Sequence, residues 1–150
     1  MPIVAFASDH AGVAYKAMLI EEVRGLGHGV LDLGPATEAS VDYPDYGAKL
    51  ADAIADGRAT YGVAICGSGI GISIAANRNP AVRAALCTSG QMARLARQHN
   101  DANVLAIGSR LIGPDVARDC LVQFLAASFA GGRHSARVAK LTPGYQEIDA

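Results

Sequence analysis

The chain has 150 residues and a mass of 15.4 kDa, is 51% hydrophobic and 18% charged, and carries a net charge of −1 at pH 7. A chain this long buries roughly 68–70% of its unfolded surface, which suits one domain with its own core and excludes a long disordered tail. The near-zero charge excludes the electrostatic excess that draws proteins to nucleic acid or to an anionic membrane, so a small-molecule partner is expected.

MPIVAFASDH opens without a basic segment ahead of a long apolar run, and no stretch approaches the roughly 20 apolar residues of a membrane span. The chain therefore reads as cytoplasmic. Cysteines at 66, 87 and 120, odd in number and without CxxC or His spacing, argue against both a disulfide framework and a zinc site. They read as free thiols, and no metal is expected.

Apolar runs of strand length occur at 3–7, 30–33, 61–66, 84–87 and 104–107. Between and after them, helical spacing appears at 13–26, 43–55, 70–77, 90–99 and 114–129. Pro114 suits a first helical turn, and Gly131-Gly132 ends that helix. A last helix follows over roughly 133–140 before Pro143-Gly144 stops it. Alternation of this kind predicts a single α/β domain, a three-layer α/β/α (Rossmann-like) fold around a five-stranded parallel sheet.

Ligands of such sheets lie at the carboxyl ends of the strands. That rule selects the loops 8–12, 34–44, 66–71, 87–91 and 108–110, to which His99 and Asn100 add polar groups just ahead of the fifth strand. In the stretch CGSGIG, Gly67, Gly69 and Gly71 let the backbone turn its amides inward, and a helix starting near Ile70 adds its positive end. The loop suits an anion. It lacks the last glycine of a dinucleotide fingerprint, the Gly-Lys-Ser/Thr of a P-loop and the flanking glycines of an esterase elbow around Ser68. Ile72 also stands where a low-molecular-weight phosphatase loop carries arginine.

What remains is a thiol, Cys66, at the rim of an amide-lined cradle that favours thiolate, able to act as base or nucleophile. A small apolar residue closing a strand is the alternative for Cys66, and it is the reading adopted for Cys87 and Cys120. Asp9 fits both a ligand role and a cap for the helix near Gly12. Arg133 and Arg137 leave one helix face at i and i+4, where they fit either an exposed charged surface or a phosphate clamp, and Arg110 is a further forked donor. Tyr43-Pro44 says little alone.

Taken together, ASDHAG (7–12), DYPDYG (42–47), CGSGIGISIAANR (66–78), RQHNDANVLAIGSR (97–110) and GGRHSARV (131–138) resemble the ribose-5-phosphate isomerase B family over nearly the whole chain. The resemblance implies an aldose–ketose isomerase acting without cofactor on a sugar phosphate. It implies a homodimer or dimer of dimers whose active sites lie at the subunit interface. Cys66 would be the base of an enediol mechanism, with Ser68, Gly67, Gly69, Ile70 and Gly71 holding the oxygens. His99, Asp9 and Tyr43 would open the sugar ring, Asn100 would contact the sugar, and His10, Arg110, Arg133 and Arg137 would bind phosphate. A branch of the family instead uses a glutamate after the last glycine, where this chain has Ile72. Many members also carry an acid after the fourth strand, where this chain reads Thr88-Ser89-Gly90-Gln91. Ribose 5-phosphate is the expected substrate. Tetrose phosphates and allose or galactose 6-phosphate are alternatives, and a non-catalytic binding module or a cysteine-nucleophile transferase or hydrolase are rivals of other classes.

Overall fold

Continuous apolar runs mark strands covered on both faces, and three of them form the centre of the sheet. These are β1 (Ile3–Ser8), β3 (Tyr61–Cys66) and β5 (Val104–Gly108). The less buried runs β2 (Gly29–Asp32) and β4 (Ala84–Leu86) take the edges, in the order β2-β1-β3-β5-β4. All four pairings are parallel. The computed structural model describes residues 1–143, so the expected stop at Gly144 lies outside the described residues. Among those residues no helix is long and apolar enough to cross a membrane.

The two faces of the sheet differ in side-chain size. Val4, Phe6, Val63, Ile65, Leu105 and Ile107 point to one layer, made of α1 (Val13–Gly25), α4 (Gly90–Asn100) and α5 (Pro114–Ala126). Ala5, Ala7, Ala64, Cys66 and Ala106 point to the other, where α2 (Tyr43–Ala55) and α3 (Ile70–Ala76) pack. Period-two alternation thus sends the bulky residues to one side and leaves the small ones, Cys66 included, under α2 and α3. The last helix, α6 (Arg133–Ala139), buries none of its residues and lies against α4.

The predicted strands and helices are present, with shifts at their ends. The helix expected to reach Phe129 stops at Ala126, because Ala127 turns to extended backbone (ψ 153°) and the Ala130 N–H donates to the Gln98 carbonyl at 2.9 Å. A short 3₁₀ turn over His10–Gly12 precedes α1, and Asp9 caps it by accepting the Ala11 N–H at 2.9 Å. The chain leaves β1 for β2 on one side and returns to β3 on the other, so the order reverses between β1 and β3. That reversal opens a crevice at their carboxyl ends. The register pairs Ser8 with Ile65 and Cys66 with Gly108, bringing the loops that follow all three strands to one place.

Candidate active site

Those loops enclose a cavity of about 370 Å³ lined by Asp9, Tyr43, Cys66, Gly67, Ser68, Gly71, Arg110 and Leu111. Three backbone ties set its floor. The Asp9 N–H donates to the Ile65 carbonyl at 3.0 Å, Ser109 N–H to Cys66 at 2.9 Å and Arg110 N–H to Gly67 at 2.9 Å. A fourth tie closes the far side, where the Ser109 hydroxyl donates to the Ala11 carbonyl at 2.8 Å.

Cys66 ends β3 only 4% exposed, yet it lines this cavity and its Sγ accepts the Gly69 N–H at 3.1 Å. Gly69 makes that bond from left-handed backbone (φ 76°), packed so closely on β5 that a Cβ there would lie 2.8 Å from the Ile107 carbonyl carbon. The hydroxyl of Ser68 accepts the Ile70 N–H at 3.2 Å, and Ile70, half exposed, opens α3. The ring of Tyr43 lies directly over Gly71, and the Arg110 guanidinium lies over Gly67. The other two thiols differ. Burial pushes Cys87 up to about 12, aided by the Cys120 charge, and pushes Cys120 up to about 11, aided by the Asp119 carboxylate. Both are core residues, as the sequence suggests.

His10 follows the cavity-lining Asp9 and accepts the Val41 N–H on Nδ1 at 3.2 Å, which leaves Nε2 as the ring nitrogen able to donate. The Thr88–Gln91 segment does not stand empty of an acid. Ser89 caps α4 by accepting the Met92 N–H at 3.2 Å, while the Asp119 carboxylate of α5 packs directly on Gly90.

The remaining candidates gather elsewhere. His99, Asn100 and Arg137 line a second cavity of about 320 Å³ with His134, Val138 and Leu141. His99 and His134 stack with ring centroids 4.4 Å apart and planes 12° apart. Desolvation, then the charges of His99, Arg133 and Arg137, hold the His134 imidazole below its usual range, and Arg133 precedes it at the start of α6. Because α4 leaves the carboxyl end of β4 and runs back along the sheet, its last residues sit beside the start of β4, where Asn100 lines a hollow with Arg83 and Ala84. Cys66 and His99 therefore lie at opposite ends of the sheet, separated by strands of roughly 16 Å. The sequence reading passed over Leu111 and His134, although His134 stands between the two arginines it selected.

A family model described as Ribose/Galactose Isomerase matches residues 4–141. The chain belongs to the ribose/galactose isomerase family. Among curated relatives of this isomerase, ribose-5-phosphate isomerase B of Escherichia coli is 42% identical over 142 residues, covering 95% of each chain. The solved structure of Clostridium thermocellum ribose-5-phosphate isomerase B superposes with a TM-score of 0.91 at 47% identity, covering 93% of this chain and 94% of that one. That of Anaplasma phagocytophilum superposes at 0.88 with 50% identity, covering 94% and 97%. The resemblance read from the motifs is thus borne out, as is the three-layer parallel fold. This chain is a sugar-phosphate isomerase, and the reading as a non-catalytic binding module falls away.

Proposed function

We propose that this isomerase interconverts ribose 5-phosphate and ribulose 5-phosphate through an enediolate, with Cys66 as the base. The observation that carries the reading is the Gly69 N–H held 3.1 Å from a cavity-lining Sγ, a donor placed to stabilise charge that develops on the sulfur. A proton next to a carbonyl is weakly acidic, so its removal needs both a base and donors for the charge that develops. Sγ takes the proton from C2 while the C1 oxygen gains the charge. A proton passes between O1 and O2, and Sγ returns its own to C1, giving the ketose. Ser68, Tyr43, Gly67 and Gly71 line the cavity that would take the oxygens, with Asp9 in the same lining, while the Gly69 and Ile70 N–H groups are already donated to Cys66 Sγ and the Ser68 hydroxyl.

The separation of the two clusters supports a site assembled from two copies of the chain, in a homodimer or a dimer of dimers. One copy supplies Asp9, Tyr43, Cys66 and Arg110. The other supplies His99 to open the furanose, Asn100 to contact the sugar, and Arg133 and Arg137 to join His10 on the phosphate. Exposed apolar residues beside the first cavity, Ile70, Ile74 and Leu111, are 50%, 51% and 62% exposed in the single chain and fit burial by a second copy. The three free cysteines suit a reducing, cytoplasmic setting.

Solvent-deuterium exchange into a panel of four-, five- and six-carbon sugar phosphates tests the reading. Fastest exchange into the pentose phosphate is expected. Faster exchange into a tetrose or hexose phosphate would transfer the same chemistry to that sugar.

A further inference from the structure

Asp101 ends α4 directly after His99 and Asn100, and among the described residues it alone, glycines aside, has a positive φ (φ 47°, ψ 41°). Its N–H donates to the Ala96 carbonyl and closes the helix. A helix stop of this shape usually carries glycine, and aspartate is among the few side chains tolerated there. Here the position carries an aspartate gripped by two arginines from different elements. Arg97, one turn back in α4, donates through Nη1 to Asp101 Oδ1 at 2.9 Å and to the Ala102 carbonyl at 2.7 Å. Arg83, just ahead of β4, donates through Nε to the Asp101 carbonyl at 2.9 Å and through Nη2 to Oδ2 at 3.4 Å.

The grip is anchored in the core. Arg97 is only 6% exposed, its guanidinium lies 4.9 Å from the Tyr61 ring centroid and 5.8 Å from that of Phe124, and its Nη2 donates to the Tyr61 hydroxyl at 3.3 Å. Arg83 is fixed from behind by Asn103, whose Oδ1 accepts the Arg83 N–H at 2.8 Å. We propose that Asp101, held by Arg97 and Arg83, is a positioning residue that fixes the last turn of α4 so that His99 meets the sugar in one orientation. The proposal rests on the reading of His99 as the ring-opening group. Among the described residues the His99 ring stacks on His134, and its aim across an interface then depends on the stiffness of the turn that carries it.

Sugar chemistry separates positioning from general structural damage. Ribose 5-phosphate closes a furanose through O4 and must open before its C2 proton is accessible. Ribulose 5-phosphate cannot close one, because its O5 carries the phosphate, so deuterium entry at its C1 reports proton abstraction without ring opening. Asp101→Gly keeps the left-handed turn and removes the carboxylate. It is expected to lower kcat for ribose 5-phosphate by about 10- to 100-fold, with deuterium entry into ribulose 5-phosphate within about twofold of wild type. Asp101→Asn, which retains an acceptor, should recover most of the loss. Arg83→Gln, on the more exposed side of the grip, should give the same split at smaller amplitude even if the glycine variant folds poorly. Loss of both rates together, or of neither, overturns the proposal. A wild-type enzyme that leaves ribose 5-phosphate unconverted overturns the pentose reading beneath it, an outcome visible before any variant is compared.

Discussion

Gly69→Ala probes the cradle at its tightest point. The added methyl would lie 2.6 Å from Leu86 Cδ1 and 2.8 and 2.9 Å from backbone atoms of Ile107 and Gly108. Leu86 can rotate, but the other two atoms belong to the central strand β5. A side chain at φ 76° costs about 1–2 kcal/mol, and forcing a methyl into packed surroundings costs about 1–3 kcal/mol more. A loss of about 3 kcal/mol is expected, which for a chain of this length lowers Tm by roughly 6–12 °C. Urea unfolding should show a lower midpoint at unchanged slope. Turnover should also fall by about 10- to 100-fold, because moving the Gly69 N–H away from Sγ removes a hydrogen bond that the proposed base would use. Gly71→Ala supplies the contrast. The nearest atoms to its methyl all belong to the ring of Tyr43, a side chain 42% exposed rather than backbone, so stability should change by less than about 1 kcal/mol while KM rises. A Gly69→Ala enzyme within about 1 kcal/mol of wild type and fully active would refute the reasoning.

Arg137→Ala is expected to raise KM for a phosphorylated sugar more than it lowers kcat, because the phosphate is remote from the reacting carbons. Steady-state kinetics check this, and an equal loss with an unphosphorylated sugar would count against a phosphate role. Cys87 and Cys120 are raised in the folded state from about 9 to about 12 and about 11, chiefly by burial. The unfolded chain therefore ionises first, so the stability these thiols contribute is complete below about pH 9 and drains away as pH rises toward 11–12. Urea midpoints should fall across that range, less steeply in Cys87→Ala, and parallel curves for the two proteins would contradict the assignment.

The sequence carries the layers of this fold because burial on both faces demands long apolar runs, and 3–7, 61–66 and 104–107 supply the central strands. It carries the end of the 114–129 helix less well. Ala127 to Ala130 hold no glycine or proline, and the chain turns there because Gln98, on another helix, accepts the Ala130 N–H. Cys66 was legible through its glycines, since an amide cradle needs them locally. The separation of His99 from Cys66 was not, because His99 sits in sequence just ahead of β5, and only the return path of α4 carries it to another cavity. His134 was hidden between two arginines whose charge gave the stronger signal. The setting of Asp101 was hidden too, since its positive φ and its two arginine partners arise only once β4 and α4 meet.

Whether the sulfur of Cys66 moves the proton is tested most directly by the Cys66→Ala enzyme in deuterated solvent. The account predicts that ribose 5-phosphate still binds while deuterium fails to enter C2 of the aldose or C1 of the ketose, and isomerisation stops. Deuterium entry at the wild-type rate would mean that another group takes the proton.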